Sequence, residues 1–304
     1  MDQVENLYGR QRFVVGYVAD ARGAEALALG ISLARGAQAE LVVTLVVPEP
    51  SPYGGGPSPR HVHDPIVRER LEQWQREALD RVPEDVSARS EVRAAESEAR
   101  GLLEAAEEHD ASAIVVGARS NPLLQRFALG TTLSALLHSS PVPVALAPAG
   151  FDSTDAPPRL TAVYGTRPGA SAVIGTAVEA ADRRAVPLRL LTLLPGQPEG
   201  GEVRDELVRQ AERFGGLALG ERAEELLTAD GSEVAAVTGA DLDDAIGRTT
   251  WLDGEVALVG SSRLAPRGRV FIGGTAQRLL RRIPAAVVVV PRDYQAASQT
   301  SPAA

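Results

Sequence analysis

Residues 114–148 read IVVGARSNPLLQRFALGTTLSALLHSSPVPVALAP, and residues 257–291 read ALVGSSRLAPRGRVFIGGTAQRLLRRIPAAVVVVP. The two stretches superpose at a constant offset of 143, which brings Gly117 onto Gly260, Gly130 onto Gly273, Thr132 onto Thr275 and Pro148 onto Pro291. Upstream, Gly23 falls on Gly169 and Leu41 on Leu188, at offsets of 146 and 147. Self-similarity of this extent means one unit duplicated, and it governs how every element is assigned. The Pro-rich run FDSTDAPPR, 151–159, is the natural linker. The two units then occupy residues 1–150 and 160–293, and the polar tail 294–304 reads as disordered.

Within each unit, short β-branched runs alternate with stretches of helical period. The first unit offers FVVGYVA (13–19), LVVTLVV (41–47), a weaker VSARSEV (86–92), AIVVG (113–117) and VPVALA (142–147). The second offers LTAVY (160–164), LRLLTLL (188–194), EVAAV (233–237), VALVG (256–260) and AAVVVV (285–290). Runs that are apolar on both faces mark buried parallel strands. Between them, 24–35 places Leu27, Ile31 and Ala34 on one helical face, and 99–108 and 131–138 behave alike. The alternation predicts two doubly wound, five-stranded parallel α/β domains in tandem, with ligands beyond the carboxyl ends of the strands at the switch point.

That switch point is where the glycine-rich loops fall. After the fourth strand of the first unit stand Gly117 and Ser120, then nine residues, then Gly130, Thr131 and Thr132 opening a helix. The second unit has Gly260 and Arg263, nine residues, then Gly273, Gly274 and Thr275. Glycine past a strand lets backbone approach a ligand closely. A Gly-Thr pair at a helix start offers free N–H groups, a hydroxyl and the positive dipole end to a phosphate. The same glycines also suit a tight turn with no ligand, so a turn and a phosphate site both remain open.

Composition narrows the chemistry. The chain has 304 residues, 31 basic against 40 acidic, and every basic residue is Arg, because Lys and Cys are both absent. Without Cys there are no disulfides, thiolate nucleophiles or Cys-ligated metals. Without Lys there is no GxxxxGK[ST] loop, kinase strand lysine or Schiff base, and any phosphate must rest on Arg, hydroxyls and backbone N–H groups. An aromatic share of 4% and a net charge of −9 oppose nucleic-acid binding. No apolar run is long enough for a membrane span, and MDQVENLYGRQR has no apolar signal core, so the cytoplasm is the expected compartment.

The pattern G-x2-G-x9-G-[S/T] after a VVG strand, followed by a helix and the tails PVPVALAP and AAVVVVP, resembles the universal stress protein family across nearly the whole chain. The resemblance implies two Rossmann-like domains of the adenine nucleotide alpha hydrolase type. It also implies ATP or AMP on Gly117, Ser120, Gly130, Thr131 and Thr132, and on Gly260, Arg263, Gly273, Gly274 and Thr275, with no metal beyond Mg accompanying the nucleotide. In that family an Asp ending the first strand contacts adenine. Here Asp20 stands one place late and the second unit reads Val163-Tyr164-Gly165, so nucleotide is expected in the first unit rather than the second. The family's final strands pair antiparallel, which implies an internal pseudo-dimer of the units, with a further homodimer open. The function implied is a non-enzymatic, stress-response binding or signalling module with an unidentified protein partner. A nucleotide hydrolase or phosphotransferase is the alternative, and an interaction scaffold that has lost its ligand is a second.

Other residues read as structural. His61, His63 and Asp64 have a metal-like spacing but belong to a solvated loop, and His109 and His138 read as helix-end residues. Trp74 and Trp251 read as packing residues, and Arg183-Arg184 and Arg281-Arg282 favour helix C-termini.

Overall fold

A computed structural model describes residues 11–49, 65–121, 125–128, 130–165, 170–196, 221–261, 273–292 and 294. The first unit runs β1 (Arg12–Gly16), α1 (Ala21–Ala34), β2 (Glu40–Pro48), α2 (Pro65–Leu79), β3 (Ala88–Ala95), α3 (Glu98–Glu108) and β4 (Ala113–Gly117). A small hairpin of β5 (Arg119–Asn121) and β6 (Gln125–Ala128) follows, then α4 (Thr131–Ser139) and β7 (Val144–Ala147). The second unit runs β8 (Leu160–Tyr164), α5 (Ala170–Arg184), β9 (Leu188–Pro195), α6 (Glu221–Thr228), β10 (Glu233–Gly239), α7 (Leu242–Gly247), β11 (Val256–Gly260), α8 (Gly274–Arg282) and β12 (Ala286–Val290).

Each unit is a parallel five-stranded sheet, in the orders β3-β2-β1-β4-β7 and β10-β9-β8-β11-β12. The final strands β7 and β12 pair antiparallel, as expected, and so fuse the two into one ten-stranded sheet. An apolar edge such as Val287–Val290 exposes unpaired N–H and C=O groups, and pairing it with its counterpart removes that edge. The pair Val288↔Ala145 joins residues related by the internal offset of 143, so the pseudo-twofold axis passes through it. Because the axis reverses strand direction, the carboxyl ends of the two units open on opposite edges of the sheet.

Two apolar layers cover the sheet. Phe13, Val15, Leu41, Ala145, Leu160 and Val288 pack with α1 and α5 on one face. Val14, Ile114, Val144, Val287 and Val289 pack with Leu102 of α3, Leu136 of α4 and Leu279 of α8 on the other. Both layers cross the seam, so neither unit completes its core alone. The linker is pinned to the end of α1, where the Ser32 hydroxyl donates to the Asp155 carbonyl at 2.6 Å and Arg35 donates to the Thr154 carbonyl at 2.8 Å.

One boundary moves. Tyr294, counted with the tail in the sequence, packs against the core and donates its hydroxyl to the Ser112 carbonyl at 3.3 Å. Burial, with the Glu179 charge adding and Arg183 opposing, pushes its phenol up to about 12. Residues 295–304 of the expected tail lie outside the described residues, as do His61, His63 and Asp64.

Candidate functional site

The crevice forms where β1 feeds β2 on one side and β4 feeds β7 on the other. Its first wall is the turn from β1 into α1. Asp20 caps α1, its carboxylate accepting from the N–H groups of Arg22 at 2.9 Å and Gly23 at 3.2 Å and from the Arg22 side chain at 2.7 Å. Burial pushes this carboxyl up, but the bonds from Arg22 and Gly23 outweigh it and hold the group below its ordinary value. The carboxylate that comes nearest the family's adenine-binding position is thus engaged in the helix start.

Gly117, at the end of β4, forms the second wall. A Cβ there would lie 2.1 Å from the Arg22 carbonyl oxygen, so the first turn of α1 rests on the strand end. A Cβ at Gly23 would lie 1.9 Å from the Val18 carbonyl oxygen. Both glycines are required by the protein's own backbone, independently of any ligand. At Gly260 a Cβ would meet, among the described residues, only the Val173 side chain, at 2.9 Å.

Gly130 and Gly273 are the N-caps of α4 and α8, with extended backbones (φ −70°, ψ 171° and φ −81°, ψ 169°) and no side-chain cap. Among the described residues, no side chain caps the first-turn N–H groups of either helix, the groups a phosphate uses at a helix start. Thr131, Gly274 and Thr275 are exposed beside them. Thr132 is turned to another task and donates its hydroxyl to Glu98 at 2.9 Å. Glu98 opens α3 behind the Ser97 cap, and the sequence reading passed over it although Ser-Glu at a helix start is a visible signal. Ser120 lies on β5 with its side chain outside the described residues, and Arg263 lies outside them altogether. Among the described residues, no group of three His, Asp or Glu side chains is gathered for a metal.

Two polar clusters lie at the other ends of the strands, away from the loops. His109, a helix-end residue as expected, also bridges to β3. Arg89 donates to its Nδ1 at 2.9 Å and its Nε2 lies 2.8 Å from Glu91, which sets the Nε2–H tautomer. In the second unit the fully buried Glu255 accepts from Arg189 at 2.7 Å, from Arg159 at 2.9 Å and from Thr161. Arg189 stacks on Trp251 at 4.9 Å, so that tryptophan packs on a charge.

Two helix starts without a side-chain cap, on a duplicated doubly wound sheet, define a tandem α/β chain. The universal stress protein family model matches residues 9–148. A universal stress protein of Mycobacterium tuberculosis is 30% identical over 289 residues, spanning 91% of this chain and 99% of that protein. The chain belongs to the universal stress protein family. A universal stress protein structure from Archaeoglobus fulgidus superposes with a TM-score of 0.68 at 17% identity, covering 92% of this chain and 98% of that one. A putative universal stress protein from Pseudomonas aeruginosa superposes at 0.57, with 17% identity and 95% of both chains covered. Among the described residues, no helix is long and apolar enough to cross a membrane.

Proposed function

We propose that this tandem universal stress protein is a non-enzymatic binding module that holds an adenine nucleotide, ATP or AMP, at the start of α4, and that occupancy biases a protein partner. The observation that carries this reading is the helix start at Gly130, which has no side-chain cap among the described residues and leaves Thr131 exposed. Phosphate on backbone N–H groups at a positive helix end needs no lysine, and the chain has none. Holding a nucleotide fits this donor set better than breaking one, since phosphoryl transfer calls for cationic and metal clamps on the moving group. Any Mg would arrive with the nucleotide, coordinated by its phosphates.

Calorimetric titration with ATP and AMP tests the reading. Wild-type protein is expected to give saturable heat, and Gly130→Val, whose backbone angles tolerate a side chain, is expected to fold and give none. Phosphate release above background that disappears in Gly130→Val would favour a hydrolase instead. Absence of heat with both nucleotides would favour the scaffold reading, which the engagement of Asp20 and Gly117 in the turn of α1 supports.

A further inference from the structure

The ten-stranded sheet ends in β3 on one side and in β10 on the other, and the two edges are built differently. On β3, Arg89, Glu91 and Arg93 alternate along one face and pair with Glu40, His109 and Glu108. Charge along an edge strand guards it against pairing with another chain. β10 reads EVAAVTG, and its one charge, Glu233 at the first position, is tied to Arg159 at 3.3 Å. From Val234 to Gly239 the strand carries no charged side chain.

Both faces of β10 are already used. Val234 packs against one apolar layer and Ala235 and Val237 against the other, so what the strand has left to offer is its backbone edge. The Gly239 carbonyl accepts from the Gly196 N–H at 2.8 Å, which turns Gly239, and by alternation Val237, Ala235 and Glu233, toward β9. The backbone N–H and C=O groups of Val234, Ala236 and Thr238 therefore point away from the sheet. Among the described residues, none of these groups has a partner.

Those three residues complement themselves. A twofold axis through Ala236 sets Ala236 against Ala236 of a second copy and Val234 against its Thr238, antiparallel, so that every outward group meets an outward group. Each such pair exchanges both N–H···O bonds, about six in all. The side chains that meet across the join are small or β-branched, and no like charges are opposed. A parallel partner cannot close symmetrically, because in a parallel ladder a residue bonded across the gap stands opposite one whose groups point away. The chain already uses the antiparallel solution once, where β12 pairs with β7 through Val288 and Ala145.

We propose that β10 is a homodimer edge, on which a second copy of this chain adds its own β10, antiparallel and centred on Ala236, to make the two ten-stranded sheets continuous. The join lies outside the glycine loops and needs no nucleotide. Each copy carries a net charge of −9, so repulsion opposes the join at low salt and is screened as salt rises.

Sedimentation equilibrium on the full chain is expected to show a monomer–dimer equilibrium that shifts toward dimer with protein concentration and with salt. It should stop at the dimer, because a twofold join closes. Ala236→Pro is the sharpest variant: the N–H it removes points outward, so no bond to β9 is lost, and an edge strand accepts proline there. It should keep the wild-type circular dichroism spectrum and weaken the dimer roughly tenfold or more, whereas Gly130→Val should dimerise as wild type does. Should Ala236→Pro fail to fold, hydrogen exchange of wild-type protein decides. Raising the concentration is expected to protect the amides of Val234, Ala236 and Thr238 and to leave those of β3 unchanged. A chain that stays monomeric at every concentration, a dimer that folded Ala236→Pro leaves intact, open-ended assembly, or protection gained at β3 instead would overturn the proposal.

Discussion

Positions 112 and 255 are equivalent under the internal offset of 143, yet the first unit has an ordinary serine there and the second a fully buried glutamate. Around Glu255 the second unit ties Arg159, Arg189, Thr161 and the Leu252 N–H into one knot, with Trp251 over Arg189. Ser112 joins through its backbone, its N–H donated to the Arg12 carbonyl at 2.8 Å and its carbonyl accepting from Tyr294. The first unit moves its charges outward instead, with Glu40 between Arg12 and Arg89 and with Glu91 against His109. Two copies of one backbone thus tolerate different polar solutions, because the strand ladders and apolar layers are shared and need neither set. What differs is vulnerability: a fully buried charge set fails badly when one member is removed, and a half-buried one, still reached by water, loses less.

Glu255→Ala should show the largest effect. It strands two guanidiniums, and Arg189 already has its pKa lowered by burial against the opposing pull of Glu255. A loss of about 3–5 kcal/mol is expected by denaturant unfolding, against about 0.5 kcal/mol or less for Ser112→Ala. Equal losses in the two variants would show that the knot does not separate the units.

Next in size is the glycine contrast. Gly117→Ala drives a methyl into the Arg22 backbone, which cannot rotate away, while at Gly260 the contact among the described residues is with the Val173 side chain. Overpacking of the first kind is expected to cost about 1–3 kcal/mol, with the second unit losing clearly less. Thermal unfolding of the pair would sharpen or erase the view that the first crevice is closed by its own helix start.

Asp20→Ala removes a cap and should cost about 1 kcal/mol. Since the folded carboxyl lies below its ordinary 3.8, its contribution is present at neutral pH and disappears as the pH falls through that range. The stability gap between wild type and Asp20→Ala should therefore narrow in acid, which denaturant titrations at pH 7 and pH 3 would check.

The smallest effect belongs to Tyr294, with its phenol raised to about 12 by burial. Unfolded chains ionise first as the pH rises, so wild type should lose stability relative to Tyr294→Phe between about pH 10 and 12. The difference between their ultraviolet titrations should centre near 12. Arg184, pulled down to about 10 by burial and by Arg183, acts with the opposite sign over the same range, and the paired variant cancels it.

Much of this protein was legible in its letters. The repeat, ten strands and the helix starts at Gly130 and Gly273 all follow from local pattern, because strand and helix periods and turn chemistry are written within a few residues. The tertiary structure alone decided which groups meet across long separations. It set the register of the expected seam at Ala145 and Val288, set Arg22 against Gly117, turned Thr132 to Glu98, and brought Arg184 of one unit to Leu33 of the other. Residues 34 to 151 positions apart carry no local periodicity in common, so burial and charge at their meeting point arise only once the chain has packed.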